Sequence, residues 1–394
     1  MADTGKLNYQ ATVASSGLND QAKLTITEDG VNVAALFGSA FVDFTDVVAI
    51  QRQGPAVVIT TDADRFVLNG LGNLLDGFCI ELRDAFNARV RAALAVKGDA
   101  AVTAEGDFAY AEAGQQASGQ AIVEVYDDCV CLLPQDDRAR RIPLAFMTGL
   151  QPAPFGCTVT LDDGSWYSFT RLGTKADAFV AGVMAKLQAL REHAIDAARQ
   201  VDGSLAAGPL AAVAALMPNG VAAPMGRLAA IAPSYAAAVE AAIGATRAVD
   251  TYNVLKGMCE PGAIFVGMKK GLAGEQQDGA DKDVLWFVAP SATKPMAAVE
   301  FAVDDDTAAA TFVYNTGGDA DLFCRSVNRA MEAINFRREV IALPDDQLRA
   351  AEHGAYQMAV RRTPALRWLR GQLAGRVIHA SVDSWTSGIQ GYLV

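Results

Sequence analysis

Histidines at positions 193, 353 and 379 are the chain's only imidazoles that could act as a general base near neutral pH. Nucleophilic catalysis needs such a base within hydrogen-bond reach of a serine or cysteine. His193 is predicted near a helix end, where a cationic ring suits the helix dipole, and His353 lies on a predicted helix. His379 has Asp383 nearby, but none of the three lies in a recognisable catalytic motif. The sequence therefore predicts no catalytic residue, and an enzyme with a site around His379 and Asp383 is a third hypothesis.

Metal and phosphate sites are the next chemistry to consider. Cys129 and Cys131 would share one face of a strand, but no second Cys or Cys/His pair accompanies them. The acidic runs 162–163 and 304–306 lack the glycine and distal glutamate of an EF-hand loop and fit tight hairpin turns. Residues 70–72 lack the third glycine and the lysine of a phosphate loop. We therefore expect no metal and no cofactor, and we expect the six cysteines to be buried thiols.

Composition limits the class of partner. The chain has 394 residues, of which 51% are hydrophobic and 20% charged, and its formal net charge is −12. This acidity argues against nucleic acid and against whole-surface binding to anionic lipid, because both need a dense Lys/Arg surface. The first ten residues, MADTGKLNYQ, have neither the basic nor the apolar region of a secretory signal. A cytoplasmic location is therefore expected.

The strongest pattern in the chain is an internal repeat. Three helical segments begin with Asp-x-Phe, at Asp76, Asp177 and Asp321, where the acid complements the helix dipole. After each start, apolar residues recur at helical spacing, so that one face of each helix is made to cover a core. A β-type segment and a hairpin with acidic turn residues precede each helix. The same order of strands, turn and helix appears three times.

A meander of short strands followed by one C-terminal amphipathic helix resembles the pleckstrin-homology-like fold, and bacterial PH or GRAM-type domains in particular. The resemblance implies an α+β protein with three tandem PH-like modules, each a small β-sandwich or barrel closed by its C-terminal helix. The expected divisions are module 1 over 1–98, module 2 over 99–201, an Ala-rich helical linker over 202–255, module 3 over 256–341 and a C-terminal helical extension over 342–394. Unrelated α+β units that end in helices are the alternative.

PH-like domains that bind inositol phosphates resemble one another in placing Lys and Arg in the loop between the first two strands. The corresponding loops here, around 15–19 and 114–119, hold no basic residue. Only Lys269 and Lys270, early in the third copy, come close. Phosphoinositide binding is thus not expected for modules 1 and 2.

Two segments lie outside the repeat. Residues 203–239 carry Arg227 as their single strong charge, but four prolines divide them into pieces too short to span a bilayer. Short Ala-rich helices are predicted there, with an interfacial membrane hairpin or a partner-binding patch as alternatives. The C-terminal extension holds the one locally basic amphipathic stretch. Its candidate partner- or lipid-binding residues are Arg361, Arg362, Arg367, Trp368 and Arg370. Pairing of these arginines with the acidic body of the protein is the competing interpretation.

Repetition without a catalytic set favours a non-enzymatic cytoplasmic interaction or scaffold protein. Its PH-like modules would present exposed strand edges and loops to protein partners, self-association among them. The alternative is a peripheral membrane adaptor that binds anionic lipid through the basic C-terminal helix and the apolar linker. The sequence alone leaves open the identity of the partner or ligand, the oligomeric state and the biological process.

Overall fold

Three antiparallel sheets and the helices beside them make up the computed structural model, which describes residues 9–273, 281–303, 306–307, 310–334 and 343–394. The protein is of the α+β class. It divides into two compact units. The first unit is Met1–Val183 with Pro344–Pro364, and the second is Met184–Leu343 with Ala365–Val394.

The first sheet has seven strands in the order β4-β3-β2-β1-β7-β6-β5. These are β1 (Tyr9–Ala14), β2 (Asn19–Ile26), β3 (Gly30–Ala35), β4 (Gly38–Asp43), β5 (Val47–Gln53), β6 (Ala56–Thr61) and β7 (Arg65–Asn69). The first and last strands pair at the centre, so β4 and β5 form the two edges. Along β1, the side chains of Tyr9, Ala11 and Val13 are buried while their neighbours face out, as the two-residue period of a strand requires.

Helix α1 (Leu75–Ala93) covers the core face of this sheet. Its apolar stripe of Phe78, Leu82, Phe86 and Val90 is fully buried, which confirms the face predicted from helical spacing. Burial of each of these side chains is worth on the order of 1.5–3 kcal/mol. The Tyr9 ring meets the Phe78 ring edge-on, with centroids 4.9 Å apart.

The second sheet repeats this arrangement in the order β11-β10-β9-β8-β14-β13-β12. Its strands are β8 (Val102–Glu112), β9 (Gln115–Val125), β10 (Cys129–Leu133), β11 (Arg140–Pro143), β12 (Met147–Ala153), β13 (Gly156–Leu161) and β14 (Trp166–Thr170). Helix α2 (Ala176–Val201) follows, and its buried Phe179 packs edge-on against Phe169 at 5.5 Å. The first two copies therefore share strand order as well as helix position.

The predicted Ala-rich linker forms short helices in the second unit. They are α3 (Ala207–Leu216), α4 (Met225–Ile231), α5 (Pro233–Gly244) and α6 (Val249–Lys256). Pro233 stands in the first turn of α5, where its missing N–H is tolerated. Buried Leu210, Val213, Leu228 and Val239 join the core beneath the third sheet. In the described part of the chain, no helix combines the length and apolarity needed to cross a membrane.

The third sheet differs from the first two. Its path is β15-β16-β17-β18-β20-β21, with β19 paired to β18. The strands are β15 (Ala223–Pro224), β16 (Phe265–Ala273), β17 (Asp281–Pro290), β18 (Met296–Val303), β19 (Asp306–Thr307), β20 (Ala310–Asn315) and β21 (Leu373–Ile378). The expected third copy is thus not confirmed. Helix α7 (Ala320–Ala333) keeps the repeated buried stripe of Phe323, Val327 and Met331, because helix periodicity is local whereas strand pairing is not.

The sequence predicts a helical C-terminal extension, but the structure shows a strand within it. It contains α8 (Asp345–Leu348), α9 (Gly354–Arg362), α10 (Pro364–Gly371) and α11 (Val382–Leu393), but strand β21 lies between the last two. This strand pairs antiparallel with β20, Arg376 standing opposite Phe312. Its side chains alternate between half-buried and exposed, which is the pattern of an edge strand. Residues up to Pro364 belong to the first unit and those from Ala365 to the second.

The cysteines are free thiols. Those at 129, 131, 157 and 324 are buried as predicted, whereas Cys79 and Cys259 are half-buried. Burial raises the pKa of Cys131 to about 12 and that of Cys157 to about 11. Since the thiolate is the reactive form, iodoacetamide near pH 8 is expected to leave these two positions almost unlabelled in the folded protein and to label them fully in urea. Mass spectrometry of tryptic peptides measures this. Half-buried Cys79 is the comparison, and rapid labelling of native Cys131 would contradict the burial.

Candidate functional site

A groove of about 1030 Å³ runs beside α1 in the first unit. Its walls include Phe41 of β4 and Ile80 of α1, which are 48% and 53% exposed. Ile26, Ala85 and Ala88 add apolar surface between them. Clustered, solvent-exposed apolar side chains are typical of a binding surface.

The rim of the groove is acidic. Glu28 and Asp29 lie on the β2–β3 turn, and Glu81 and Asp84 lie on α1. No lysine or arginine is found among the described residues that line it. Arg89 approaches Asp29 from the side, at 3.5 Å, so that acid is partly neutralised. The remaining carboxylates give the groove a negative field.

Tyr9 fixes one of these carboxylates. Its hydroxyl donates to Glu81 Oε2 at 2.7 Å. Burial, the hydrogen bond to Glu81 and the charge of Glu81 raise the pKa of Tyr9 to about 12. The hydroxyl therefore stays protonated and continues to donate at any physiological pH. It orients an acceptor instead of acting as a base.

Because Gly30 has no side chain, the Phe41 ring has room to pack beside it. A Cβ at position 30 would lie 2.2 Å from the Val42 carbonyl oxygen and 2.8 Å from Phe41 Cζ. The turn before it is closed by the Thr27 amide, which donates to Gly30 O at 2.8 Å, and by the Gly30 amide, which donates to Thr27 Oγ1 at 3.1 Å. The wall of the groove is thus formed before any partner arrives.

A separate exposed apolar site lies at the turn of the β3–β4 hairpin, at the other end of β3 from the acidic β2–β3 turn. Leu36 and Phe37 form this turn and are 81% and 87% exposed. Turn positions are normally filled by Gly, Asn, Asp, Pro or Ser. Two large apolar side chains this exposed bury little surface within the described part of the protein. Neither side chain lines the groove, so we use the name hairpin surface for Phe41, Ile80 and the acidic rim alone.

The basic residues predicted to bind a partner or lipid are divided between the two units. Arg361, in the first unit, pairs with Asp62, as the competing interpretation expected. Arg362 is 1% exposed, with its guanidinium 5.8 Å from the centre of the Phe86 ring. A buried guanidinium cannot reach a membrane, so Arg362 is corrected from a surface residue to an interior one. It faces inward because α9 packs on α1.

The other three residues of that stretch lie in the second unit. Trp368 is half-buried, and its ring lies 5.9 Å from that of Phe323. Arg370 is half-buried, and Arg367 is exposed. Trp368 therefore packs α10 against its own unit, and partner or lipid binding by Arg367 and Arg370 stays a prediction.

His379 belongs to a buried polar cluster that the sequence did not reveal. Glu300 is fully buried on β18 and accepts hydrogen bonds from the Thr311 hydroxyl and from His379 Nε2, the latter at 2.9 Å. Trp385 Nε1 donates to Thr311 Oγ1 at 2.7 Å, and its ring stacks on that of His379. We call Glu300, Thr311, His379 and Trp385 the polar lock.

The polar lock does not have the geometry of a catalytic triad. In a triad, the acid and the nucleophile contact different ring nitrogens. Here His379 Nε2 faces both Glu300 Oε2 and Thr311 Oγ1, the latter at 3.2 Å, and Thr311 is fully buried. Asp383 lies in the first turn of α11, where an acid complements the helix dipole. The arrangement ties β21 and α11 to the sheet.

The remaining chemical candidates take structural positions. His353 stacks on Tyr356 at 5.8 Å, and Arg141 donates to the sulfur of buried Cys129. Asp163 accepts from the Ser165 amide at 2.8 Å and so closes its turn. Residues 304–305 lie outside the described residues. Within the described ranges, no three His, Cys, Asp or Glu side chains are grouped to hold a metal.

A smaller cavity of about 400 Å³ lies in the second unit between α2, the turn at 217–220 and β16. It is lined in part by His193, Asp196, Asn219 and Lys269, and Lys269 donates to Asn219 Oδ1. The side chain of Lys270 lies outside the described residues. The carboxylate of Asp196 offsets the charge of Lys269, so the cavity has no single charge preference.

Comparisons with known proteins leave the family open. No family model matches the sequence, and no curated protein matches it. Among solved structures, a chain of the Spt16D Pob3N heterodimer shares 12% identity with this protein, over 41% of this chain and 86% of that one. The TM-score of 0.18 is too low for the likeness to support a fold or a function.

Proposed function

We propose that this protein is a non-enzymatic cytoplasmic interaction protein, built on PH-like modules, that holds a segment of a partner protein on its hairpin surface. The observation that carries the proposal is the exposed apolar pair of Phe41 and Ile80 beside an acidic rim. The shared strand order of the first two sheets, each followed by its helix, supports the modular part.

Charge indicates the kind of partner. The rim carboxylates of Glu28, Glu81 and Asp84 attract cations and repel acidic groups. Apolar side chains at the centre of a contact with charges at its edge are the usual anatomy of a protein interface. The partner segment should therefore carry apolar residues flanked by lysine or arginine. Anionic lipid does not fit this surface, and Arg362 is not exposed to provide another.

Crosslinking tests the proposal in the native cytoplasm. A benzoylphenylalanine placed at Phe41 or at Ile80 is expected to capture the same partner protein. Placed at Phe155, which is 67% exposed on the β12–β13 turn, it should not. Phe155 is the matched control because it is also an exposed aromatic residue of the first unit.

A substitution gives the expected size of the effect. Ile80→Asp removes an apolar contact and places a carboxylate where the partner's apolar side chains would bury it, so it is expected to weaken binding of the captured partner at least about tenfold. Phe155→Asp should leave the affinity unchanged. Titration of the purified partner by fluorescence anisotropy measures both. No capture at Phe41 and Ile80, or capture of the same protein at Phe155, would refute the proposed function.

A further inference from the structure

The two edges of the first sheet are treated differently. Edge strand β5 is extended by a loop of the same unit: the Ile50 amide donates to Gln135 O at 2.7 Å, and the Asp137 amide donates to Val48 O at 2.9 Å. Ala49 and Asp136 form an antiparallel bridge between these bonds. The chain itself therefore supplies an added strand at β5.

Edge strand β4 has no such cover in the described part of the chain. Antiparallel strands alternate residues that bond to their neighbour with residues whose backbone faces away. The Phe44 amide donates to Asp29 O at 2.9 Å, so Val42, Ala40 and Gly38 also face β3. The backbone groups of Ser39 and Phe41 therefore point outward, ready to pair with another strand.

Strand β4 also lacks the features that normally prevent pairing at an edge. Proteins protect edge strands with lysine, proline, bulges or very short length. The six residues of β4, GSAFVD, include no lysine and no proline, and their pairing with β3 is regular. The side chain of Phe41 lines the groove while its backbone lies on this edge. Edge and groove thus share a residue and can be covered by one ligand.

The acidic rim selects the occupant. A second copy of this chain would bring the same carboxylates together, and the formal net charge of −12 adds to the repulsion. We infer that an extended, lysine- or arginine-bearing segment of a partner protein adds to the first sheet as a strand beside β4, exchanging backbone hydrogen bonds with Ser39 and Phe41. Its apolar side chains cover Phe41, and its cations meet the rim. This inference rests on the proposed function and specifies its binding mode.

A proline at the edge gives a direct test. Ser39→Pro removes an outward N–H that β3 does not use, and proline is tolerated at such edge positions. The probe is a labelled synthetic peptide of about eight residues, alternating valine and threonine with lysine at both ends. Ser39→Pro is expected to weaken its binding at least about tenfold, whereas Ser39→Ala should not change it. Thermal unfolding of the two variants should match that of the unaltered protein.

N-methylation of the peptide tests the same point without changing the protein. A strand added to an edge bonds to it through the amides of every second residue. Methyl groups on those amides should abolish binding, whereas methyl groups on the intervening amides, which face away from the edge, should not. A peptide with glutamate in place of lysine should bind at least about tenfold more weakly.

Each other outcome overturns the inference. If the lysine peptide shows no saturable binding, β4 is not a docking edge. The same conclusion follows if Ser39→Pro binds the peptide as the unaltered protein does and both methylated peptides bind as the unmethylated one does. In that case, capture at Phe41 and Ile80 would still support the proposed function, with a partner that sits in the groove alone. Self-association that Ser39→Pro abolishes would identify a second copy as the occupant instead of a basic segment.

Discussion

Replacement of Glu300 by alanine is expected to lower the free energy of unfolding of the second unit by about 3–5 kcal/mol, because it removes the acceptor at the centre of the polar lock. The Thr311 hydroxyl and His379 Nε2 both donate to this fully buried carboxylate. Without it, both donors would lose their acceptor at a site where Thr311 is fully buried and the His379 side chain is 17% exposed. An apolar side chain of similar volume at position 300 should lower the free energy of unfolding less than alanine does, because alanine leaves a cavity as well as donors without an acceptor.

Urea denaturation followed by tryptophan fluorescence measures this effect, because Trp385 belongs to the lock. Glu240→Ala is the matched control in the same unit: Glu240 pairs with Lys256 at 2.5 Å, but both side chains are 42% exposed. Exposed pairs contribute about 1 kcal/mol or less. Glu300→Gln, which keeps an acceptor oxygen, should fall between the two. Equal losses for Glu300→Ala and Glu240→Ala would show that the lock contributes little.

The polar lock also determines how partner binding can be studied. It joins β18, β20, α11 and the residue after β21, and buried Trp385, Ile389 and Leu393 complete the core of the second unit. Deletion of the chain from Pro344 onward would remove β21, α11 and half of the lock. A loss of binding by such a truncated protein would report unfolding, so binding experiments require the full chain.

Local features were predictable from the sequence. The buried faces of α1 and α7 follow from apolar residues at helical spacing, and the short linker helices follow from the positions of proline. Non-local features were not. Strands β20 and β21 pair although nearly sixty residues separate them in the chain. The residues of β21 do not indicate which strand it pairs with. For the same reason, the strand order of the third sheet could not be read from its hairpins.

Two unusual placements have a signal in the sequence. Leu36 and Phe37 occupy a tight hairpin turn, where apolar residues are rare, and this alone marks them as exposed. Glu300 left a signal too, since it stands within the apolar strand MAAVEFAV. By contrast, Ile80 and the acids of α1 look like an ordinary solvated helix face. Only the packing of α1 beside the β2–β3 turn makes them one wall of a groove.

The burial of Arg362 leads to an expected gain of stability on mutation. Burial lowers the pKa of this guanidinium to about 10, which means that folding opposes its charge. Its Nε and both terminal nitrogens have no hydrogen-bond partner among the described residues, and the Phe86 ring at 5.8 Å is a weak substitute. Arg362→Met keeps an unbranched chain in the same space and removes the charge. The free energy of unfolding of the first unit should rise by about 1–3 kcal/mol.

Arg361→Met is the matched control, one residue away on α9. Arg361 pairs with Asp62, which is 51% exposed, so its loss should lower the free energy of unfolding by about 1 kcal/mol or less. Urea titrations of the two variants should therefore shift in opposite directions. A stability loss for Arg362→Met larger than that for Arg361→Met would mean that the guanidinium has a bound water or anion as its partner. The opposite shifts would establish that Arg362 belongs to the interior of the first unit and does not present its charge to a partner.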